Sequence, residues 1–159
     1  MSDTMRRPRA DECDHITGLC LNSKRSLGYD EAFMAQCEDE LTVTPGDLEN
    51  AEFWGLDRDG QLIGVGALRL DLEKREGEIK TFFIAPDLRG SGVGRLIWAQ
   101  LLERAGAHGL KRLTLTSEPL STGFYEKLGF AVIGQEPSGS IEGRFLPLME
   151  LKLGERTSA

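Results

Sequence analysis

The sequence predicts a mixed α/β fold: one domain over residues 1–159, with a mixed, mostly antiparallel sheet. Three observations carry this expectation. Short apolar runs bounded by turn residues recur from Glu52 onward, as hairpin strands do. The stretch from Glu78 to Thr116 reads strand, glycine loop, helix, strand, which has the length of a parallel crossover. Helical periodicity is confined to Asp11–Leu41, to the segment after the glycine loop and to a short stretch around Tyr125.

Taken in order, Met5–Arg9 is a weak candidate for a first strand. Asp11–Lys24 predicts a helix, with Ile16, Leu19 and Cys20 on one face. Gly28 interrupts it, and Asp30, a side-chain cap, starts a second helix to Leu41 with Phe33, Met34, Cys37 and Leu41 on one side. Pro45 and Gly46 read as a turn. Glu52–Asp57 and Leu62–Leu70 form a hairpin about Arg58-Asp59-Gly60, since Asp-Gly is a strong hairpin signal. Gly64 and Gly66 weaken the second strand and imply a bulge or a close neighbour. A turn at Glu76-Gly77 leads to the strand Glu78–Ile84, which Pro86 ends. Gly92–His108 is the clearest helix, with Val93, Leu96, Ile97, Leu101 and Ala105 as its buried stripe and Gly109 as its stop. Trp98 lies off that stripe, which places it partly exposed or at a contact. Leu113–Thr116 is a strand, Ser121–Leu128 a short helix, Ala131–Gln135 a strand, Pro137–Gly143 a loop and Phe145–Leu153 the last strand.

Composition narrows the function classes. The chain has 19 Lys and Arg against 26 Asp and Glu, a formal net charge of −7. A net acidic protein is a poor non-specific nucleic-acid binder, because that affinity comes from basic residues on phosphates. Cys13, Cys20 and Cys37 are too few and uneven for a disulfide framework and fit small core residues. With no C-x-x-C pair and only His15 and His108, no metal site is expected. His108 at a helix C-terminus suits the dipole. No apolar run of about 18 residues suggests a membrane span, and the polar start lacks a signal-peptide pattern. The expected location is the cytoplasm.

The chemistry concentrates between Phe82 and Arg95. A strand ends at Pro86, Arg89 follows, Gly90, Gly92 and Gly94 alternate, and a helix begins. Helix N-termini present unpaired N–H groups at the positive end of the dipole, so this geometry is an anion cradle. Glycine lets the backbone approach the ligand and take up positive φ. A Walker loop requires Lys and then Ser or Thr after the last glycine, where Arg95 and Leu96 stand. A dinucleotide fingerprint requires glycine at position 95. An acyl-CoA site is the remaining reading, and an ordinary turn is the bland one.

Arg89-Gly90-Ser91-Gly92-Val93-Gly94 resembles the Q/R-x-x-G-x-G/A signature of the GNAT superfamily, the acetyl-CoA-dependent N-acetyltransferases. The preceding Glu-Ile-Lys-Thr-Phe-Phe-Ile-Ala-Pro is similar to that family's central strand. Gly123-Phe124-Tyr125-Glu126-Lys127-Leu128-Gly129-Phe130 is similar to its Phe-Tyr-x-x-x-Gly-Phe segment. The resemblance covers Glu52–Leu153 in element order. It divides the domain into an N-terminal helical acceptor part, residues 1–50, and a cofactor-binding part, residues 51–153.

The resemblance implies a GNAT-like twisted sheet with helices on both faces and splayed central strands. It implies that the pyrophosphate of acetyl-CoA lies on Gly90, Gly92, Val93, Gly94 and Arg95, within a loop that includes Ser91, and that Arg89 and Arg95 add charge. The pantetheine arm then bonds to the backbone of Phe83 and Ile84, and an N–H near Phe83 stabilises the oxyanion. Tyr125 matches the tyrosine that protonates the departing thiolate; packing in an amphipathic helix is its bland alternative. The attacking amine needs a base. Glu78 is the candidate, sharing a face with Lys80 and Phe82, with a solvated ion pair as the rival explanation and Glu118 as second choice. Ser23-Lys24-Arg25-Ser26-Leu27-Gly28-Tyr29 is similar to a segment of some bacterial members that shapes the acceptor site. Ser23 and Tyr29 thus line an acceptor pocket, or only cap and pack. The expected activity is N-acetyl transfer from acetyl-CoA to an amine of a small molecule or peptide, with an acyl-CoA-binding sensor without transfer as the alternative and no metal. Many family members are dimers, so a homodimer is among the implied states.

Overall fold

The computed structural model describes residues 2–154; position 1 and positions 155–159, the ends of the single domain expected over 1–159, lie outside the described residues. Among the described residues, seven strands form one sheet in the order β1-β2-β3-β4-β5-β7-β6. They are β1 (Asp3–Arg6), β2 (Glu52–Arg58), β3 (Gln61–Asp71), β4 (Glu76–Ile84), β5 (Arg112–Thr116), β6 (Ala131–Pro137) and β7 (Phe145–Lys152). Among the described residues, only β4 and β5 run parallel. The helices are α1 (Cys13–Arg25), α2 (Glu31–Leu41), α3 (Pro45–Asn50), α4 (Val93–Ala107) and α5 (Thr122–Lys127). No helix among the described residues is long and apolar enough to cross a membrane.

Most boundaries follow local chemistry. Asp30 caps α2 by accepting from the Phe33 amide at 2.8 Å. Asp59 and Gly60, at φ 53° and 94°, make the tight β2–β3 turn that Asp-Gly predicts. Three expectations were displaced. The first strand is Asp3–Arg6 rather than Met5–Arg9, because pairing with β2 sets its register. The turn at Pro45-Gly46 is the start of α3. Thr44 accepts from the Asp47 amide at 3.2 Å, Asp47 accepts from the Thr44 amide at 2.8 Å, and Pro45 opens the first turn. The turn expected at Glu76-Gly77 lies earlier, and Arg75 takes the positive φ of 58°.

The sheet has an apolar layer on each face. On one, α4 packs Val93, Ile97, Leu101 and Ala105 against Leu68, Ile79, Leu113 and Met149. On the other, Cys13, Ile16, Leu19 and Cys20 of α1 meet Val65, Ala67 and Phe53. Cys13, Cys20 and Cys37 are buried, as expected of small core residues. Gly64 and Gly66 are the close approach that their place in a strand suggests. A Cβ on Gly66 would lie 2.8 Å from both Ile97 and Leu101. The stripe of α4 differs in two residues. Leu96 is 51% exposed, while Trp98 is 7% exposed. The tertiary reason is Phe130, whose ring meets Trp98 edge-on at 5.5 Å and extends the covered strip of the helix to that side.

Candidate active site

The central strands part where a ligand would enter. β4 and β5 pair only from Glu76↔Arg112 to Glu78↔Thr114. β4 continues to Ile84 beside β3, and β5 continues to Thr116 beside β7. From Ile79 to Ile84, β4 therefore has no β5 partner, and the expected splay is present.

Register decides which backbone groups face that gap. The Ala85 amide donates to Ile63 at 2.9 Å. In an antiparallel pair, hydrogen-bonded and non-bonded positions alternate. Phe83, opposite Val65, thus directs its N–H and C=O at β3, whereas Phe82 and Ile84, opposite Gly66 and Gly64, direct theirs at the gap. Of the two residues whose backbone was expected to face a ligand, Ile84 turns it to the gap and Phe83 does not, while Phe82 does. A second difference concerns Glu78. The register slips between Ala67 and Leu68, so Lys80 is an extra residue on β4 and the alternation of faces reverses there. Phe82 packs with the α4 layer and Phe83 with the α1 layer. Glu78 lies on the α1 face, 3.9 Å from Arg69 and 4.0 Å from Lys80. It does not share a face with Phe82.

At the open end of β4 the glycine loop turns into α4. Gly90 and Gly92 have φ of 78° and 96°, and Gly92 is the left-handed residue from which the helix starts. The first helical bond runs from the Leu96 amide to Gly92. The N–H groups of Gly90, Gly92, Val93, Gly94 and Arg95 therefore have no backbone acceptor among the described residues. They are the groups predicted to hold an anion. Ser91 behaves differently, because its amide and its hydroxyl both donate to the Leu88 carbonyl and tighten the loop. Arg89 also departs from expectation. Its Nη2 donates to the Ser23 carbonyl at 2.6 Å and to Ser23 Oγ at 3.2 Å. It thereby ties the loop to the C-terminus of α1, where a cation is favoured, and leaves Arg95 as the exposed cation of the cradle.

Tyr125 comes to the gap from α5. Its ring meets Phe82 at 6.0 Å and Phe124 at 5.2 Å, both edge-on. The residue is 9% exposed. Its hydroxyl has no hydrogen-bond partner among the described residues, and it is not a sealed orphan. Burial pushes the phenol pKa well above its usual range.

On the α1–α2 side, residues far apart in sequence converge on Glu118, two positions beyond the end of β5. Lys24 donates to it at 3.3 Å and Arg144 at 3.2 Å, and the Tyr29 hydroxyl donates to it as well. The Tyr29 ring stacks on Phe33 with centroids 4.0 Å apart and planes 10° apart. Burial, followed by the adjacent carboxylate, pushes the Tyr29 phenol up to about 12. Ser23, the other expected lining residue, is 5% exposed, and its oxygens accept from Arg89 and Ser26. It is a tether and not a pocket wall. Sequence reasoning missed Lys24, Phe33 and Arg144, since no local spacing links them to Glu118. An open basin of about 400 Å³, lined by Lys74, Glu76, Lys111 and Arg112 among others, lies at the paired end of β4 and β5, away from the gap.

A family model described as an acetyltransferase (GNAT) domain matches residues 14–151. The chain is 30% identical over 138 residues to an L-methionine sulfoximine/L-methionine sulfone acetyltransferase of Pseudomonas aeruginosa, covering 73% of this chain and 80% of that protein. It is 35% identical over 77 residues to an IAA acetyltransferase of Azospirillum brasilense, covering 46% of this chain and 50% of that protein. A mycothiol acetyltransferase of Streptomyces coelicolor is 28% identical over 116 residues, with 65% of this chain and 38% of that protein covered. The chain thus spans half or less of the length of the latter two. Among solved structures, the PaiA N-acetyltransferase from Thermoplasma acidophilum in complex with coenzyme A superposes with a TM-score of 0.75 at 18% identity, covering 96% of this chain and 99% of that one. A GCN5-related N-acetyltransferase from Rhodopseudomonas palustris superposes with a TM-score of 0.79 at 18% identity, covering 96% and 97%. At that identity the likeness establishes the fold.

Proposed function

Because the chain belongs to the GNAT acetyltransferase family, we propose that it moves the acetyl group of acetyl-CoA to an amine of a small molecule or peptide, by direct attack in a ternary complex. The observation that carries this reading is the row of unpartnered N–H groups from Gly90 to Arg95, set at the open end of the β4–β5 gap.

The diphosphate of the cofactor takes those N–H groups and the Arg95 charge. Its pantetheine arm runs beside β4 like an added strand and bonds to the backbone of Phe82 and Ile84. The thioester carbonyl takes an N–H from this edge as its oxyanion donor, a contact worth more in a water-poor gap than in solvent. The acceptor enters from the α1–α2 side. Its nitrogen attacks the carbonyl carbon, the C–N bond forms and the C–S bond breaks. The thiolate leaves toward Tyr125, which donates its phenolic proton. A thiol pKa of about 8.5 against about 10 for a free phenol makes this a weak acid for an easy leaving group. Burial weakens it further and keeps it protonated at working pH.

The amine arrives as an ammonium of pKa about 10.4 and must lose a proton. Glu118 is already held by Lys24, Tyr29 and Arg144. Glu78 lies on the acceptor's face of the sheet, opposite the face of Tyr125, so acid and base work from opposite sides. It precedes Phe82 by four residues, roughly 13 Å of strand, and therefore takes the proton through water.

The test is thiol release from acetyl-CoA with and without a broad amine panel, beside calorimetric titration with CoA and with ATP. Amine-dependent release together with tighter binding of CoA than of ATP supports the reading. Tighter ATP binding refutes the cofactor. Acetyl-CoA binding with no transfer to any amine refutes the enzyme and leaves a binding module.

A further inference from the structure

Given that transfer reading, the geometry points to an acceptor that carries a carboxylate next to its amine, an amino acid rather than a polyamine or a peptide N-terminus. Arg144, assisted by Lys24, is its specificity-determining anchor.

The chain as a whole carries −7, yet the acceptor side of the gap holds two cations around one carboxylate. Lys24, Glu118 and Arg144 have side chains only 14%, 14% and 19% exposed. A cluster that served packing alone would need one cation to neutralise Glu118. The second leaves a positive excess among these three partly buried side chains, where a charge is felt more strongly than at the surface.

Arg144 reaches both Tyr29 Oη, at 2.8 Å, and Glu118 through Nη2 alone. Its Nε and Nη1 have no partner among the described residues, and no unpaired polar side-chain atom there is sealed from solvent. A guanidinium offers donors in a planar fork that matches a carboxylate. Both two-pronged edges include the occupied Nη2, so Nε and Nη1 remain available as single charge-assisted donors, and the group is held in place by its neighbours. The guanidinium carbon lies 4.9 Å over the Phe33 ring and 5.3 Å over the Tyr29 ring, and these rings stack on each other. Lys24 Nζ lies 5.7 Å from the Tyr29 ring centroid and has a single carboxylate contact.

Glu118 follows β5 at the end where β5 has left β4, and Arg89 ties the end of α1, beside Lys24, to the glycine loop. A carboxylate held by Arg144 and Lys24 places its own amine toward the gap. A polyamine would meet two fixed cations, and Glu118, saturated by Lys24, Tyr29 and Arg144, has little left to offer it.

The experiment compares the full chain with the Arg144→Met and Arg144→Lys variants. Acceptors are the proteinogenic amino acids, their methyl esters, their decarboxylated amines, spermidine and short peptides. The expected result is a best acceptor among the free amino acids, at least tenfold better in kcat/KM than its ester or decarboxylated amine. Arg144→Met then lowers that preference at least tenfold, mainly through KM, and Arg144→Lys restores part of it. A best acceptor among polyamines, esters or peptides overturns the inference while leaving N-acetyl transfer intact. So does a loss in Arg144→Met that is equal for the acid and its ester. If nothing is acetylated, the transfer reading fails by itself. The pocket is then judged by calorimetry of N-acetyl amino acids on the CoA-loaded protein: binding weakened by Arg144→Met supports it, and binding indifferent to that change overturns it.

Discussion

Gly92→Ala separates the backbone demands of the cradle from general stability. Gly92 sits at φ 96° and a Cβ there would meet nothing within 4 Å, so the substitution causes no clash. Its cost is conformational, about 1–2 kcal/mol for an L-residue held in the left-handed region. For a chain of this size each kcal/mol lowers Tm by roughly 2–4 °C. Gly60→Ala is a matched control, with φ 94° and equally open space in the β2–β3 turn. Both variants should therefore melt about 2–8 °C lower. Only Gly92→Ala should also weaken acetyl-CoA. Relief of the strain turns the start of α4 and re-aims the N–H groups of Val93, Gly94 and Arg95. A hydrogen bond to a charged group is worth about 1.5–3 kcal/mol, so each one lost costs roughly ten- to a hundredfold in Kd. Differential scanning fluorimetry without ligand and calorimetry with acetyl-CoA provide the two readings. Wild-type affinity in Gly92→Ala, or equal affinity loss in Gly60→Ala, would refute the assignment of the loop.

Three further outcomes are expected. Tyr125→Phe should lower kcat roughly a hundredfold, the low end of general acid catalysis, with little change in acetyl-CoA affinity; unchanged single-turnover rates would remove the acid role. Because the folded phenol titrates above its unfolded value, Tyr125 contributes stability below pH 10 that is lost only at more alkaline pH, so no limb of the activity profile below pH 9 should belong to it. Gly66→Ala pushes a methyl group to 2.8 Å from Ile97 and Leu101 and should cost about 1–3 kcal/mol in urea unfolding, and a neutral result would mean that α4 slides freely on β3. Finally, the hydrogen bonds from Arg6 hold Glu12 at a pKa of about 2 against a reference of 4.5. Its stabilisation is present above pH 4.5 and fades as pH falls toward 2, so Glu12→Gln should lose about 2–3 kcal/mol at pH 7 and flatten the acid limb of the stability curve. An acid limb identical to wild type would contradict this pairing.

Residues that act through neighbours in sequence were readable without the fold. The Asp-Gly turn, the Asp30 cap and the glycine loop rest on φ preferences and on bonds spanning a few residues, so their chemistry is written where they occur. The cradle from Gly90 to Arg95 belongs here, because a helix start exposes the same N–H groups in any fold. So does the separation of β4 from β5 by a long helix, which forced a parallel crossover. The short motif around Tyr125 gave its identity, although its contact with Phe82 awaited the structure.

Tertiary structure decided whatever depends on register or on convergence. One extra residue at Lys80 moved Glu78 to the face opposite Phe82, and a single slip of this kind reverses every later side chain of the strand. Pairing with β3 committed the backbone of Phe83 and left that of Phe82 toward the gap. Phe130 buried Trp98, while Leu96, one turn from the loop, stayed in solvent. The charged cluster draws together Lys24, Tyr29, Glu118 and Arg144, of which Tyr29 and Arg144 bond across 115 residues, and no periodicity encodes that meeting. Local backbone preference wrote the row of free N–H groups after Arg89 into the sequence, whereas the charged cluster at Glu118 exists only once long-range packing has chosen which charges are left facing one another.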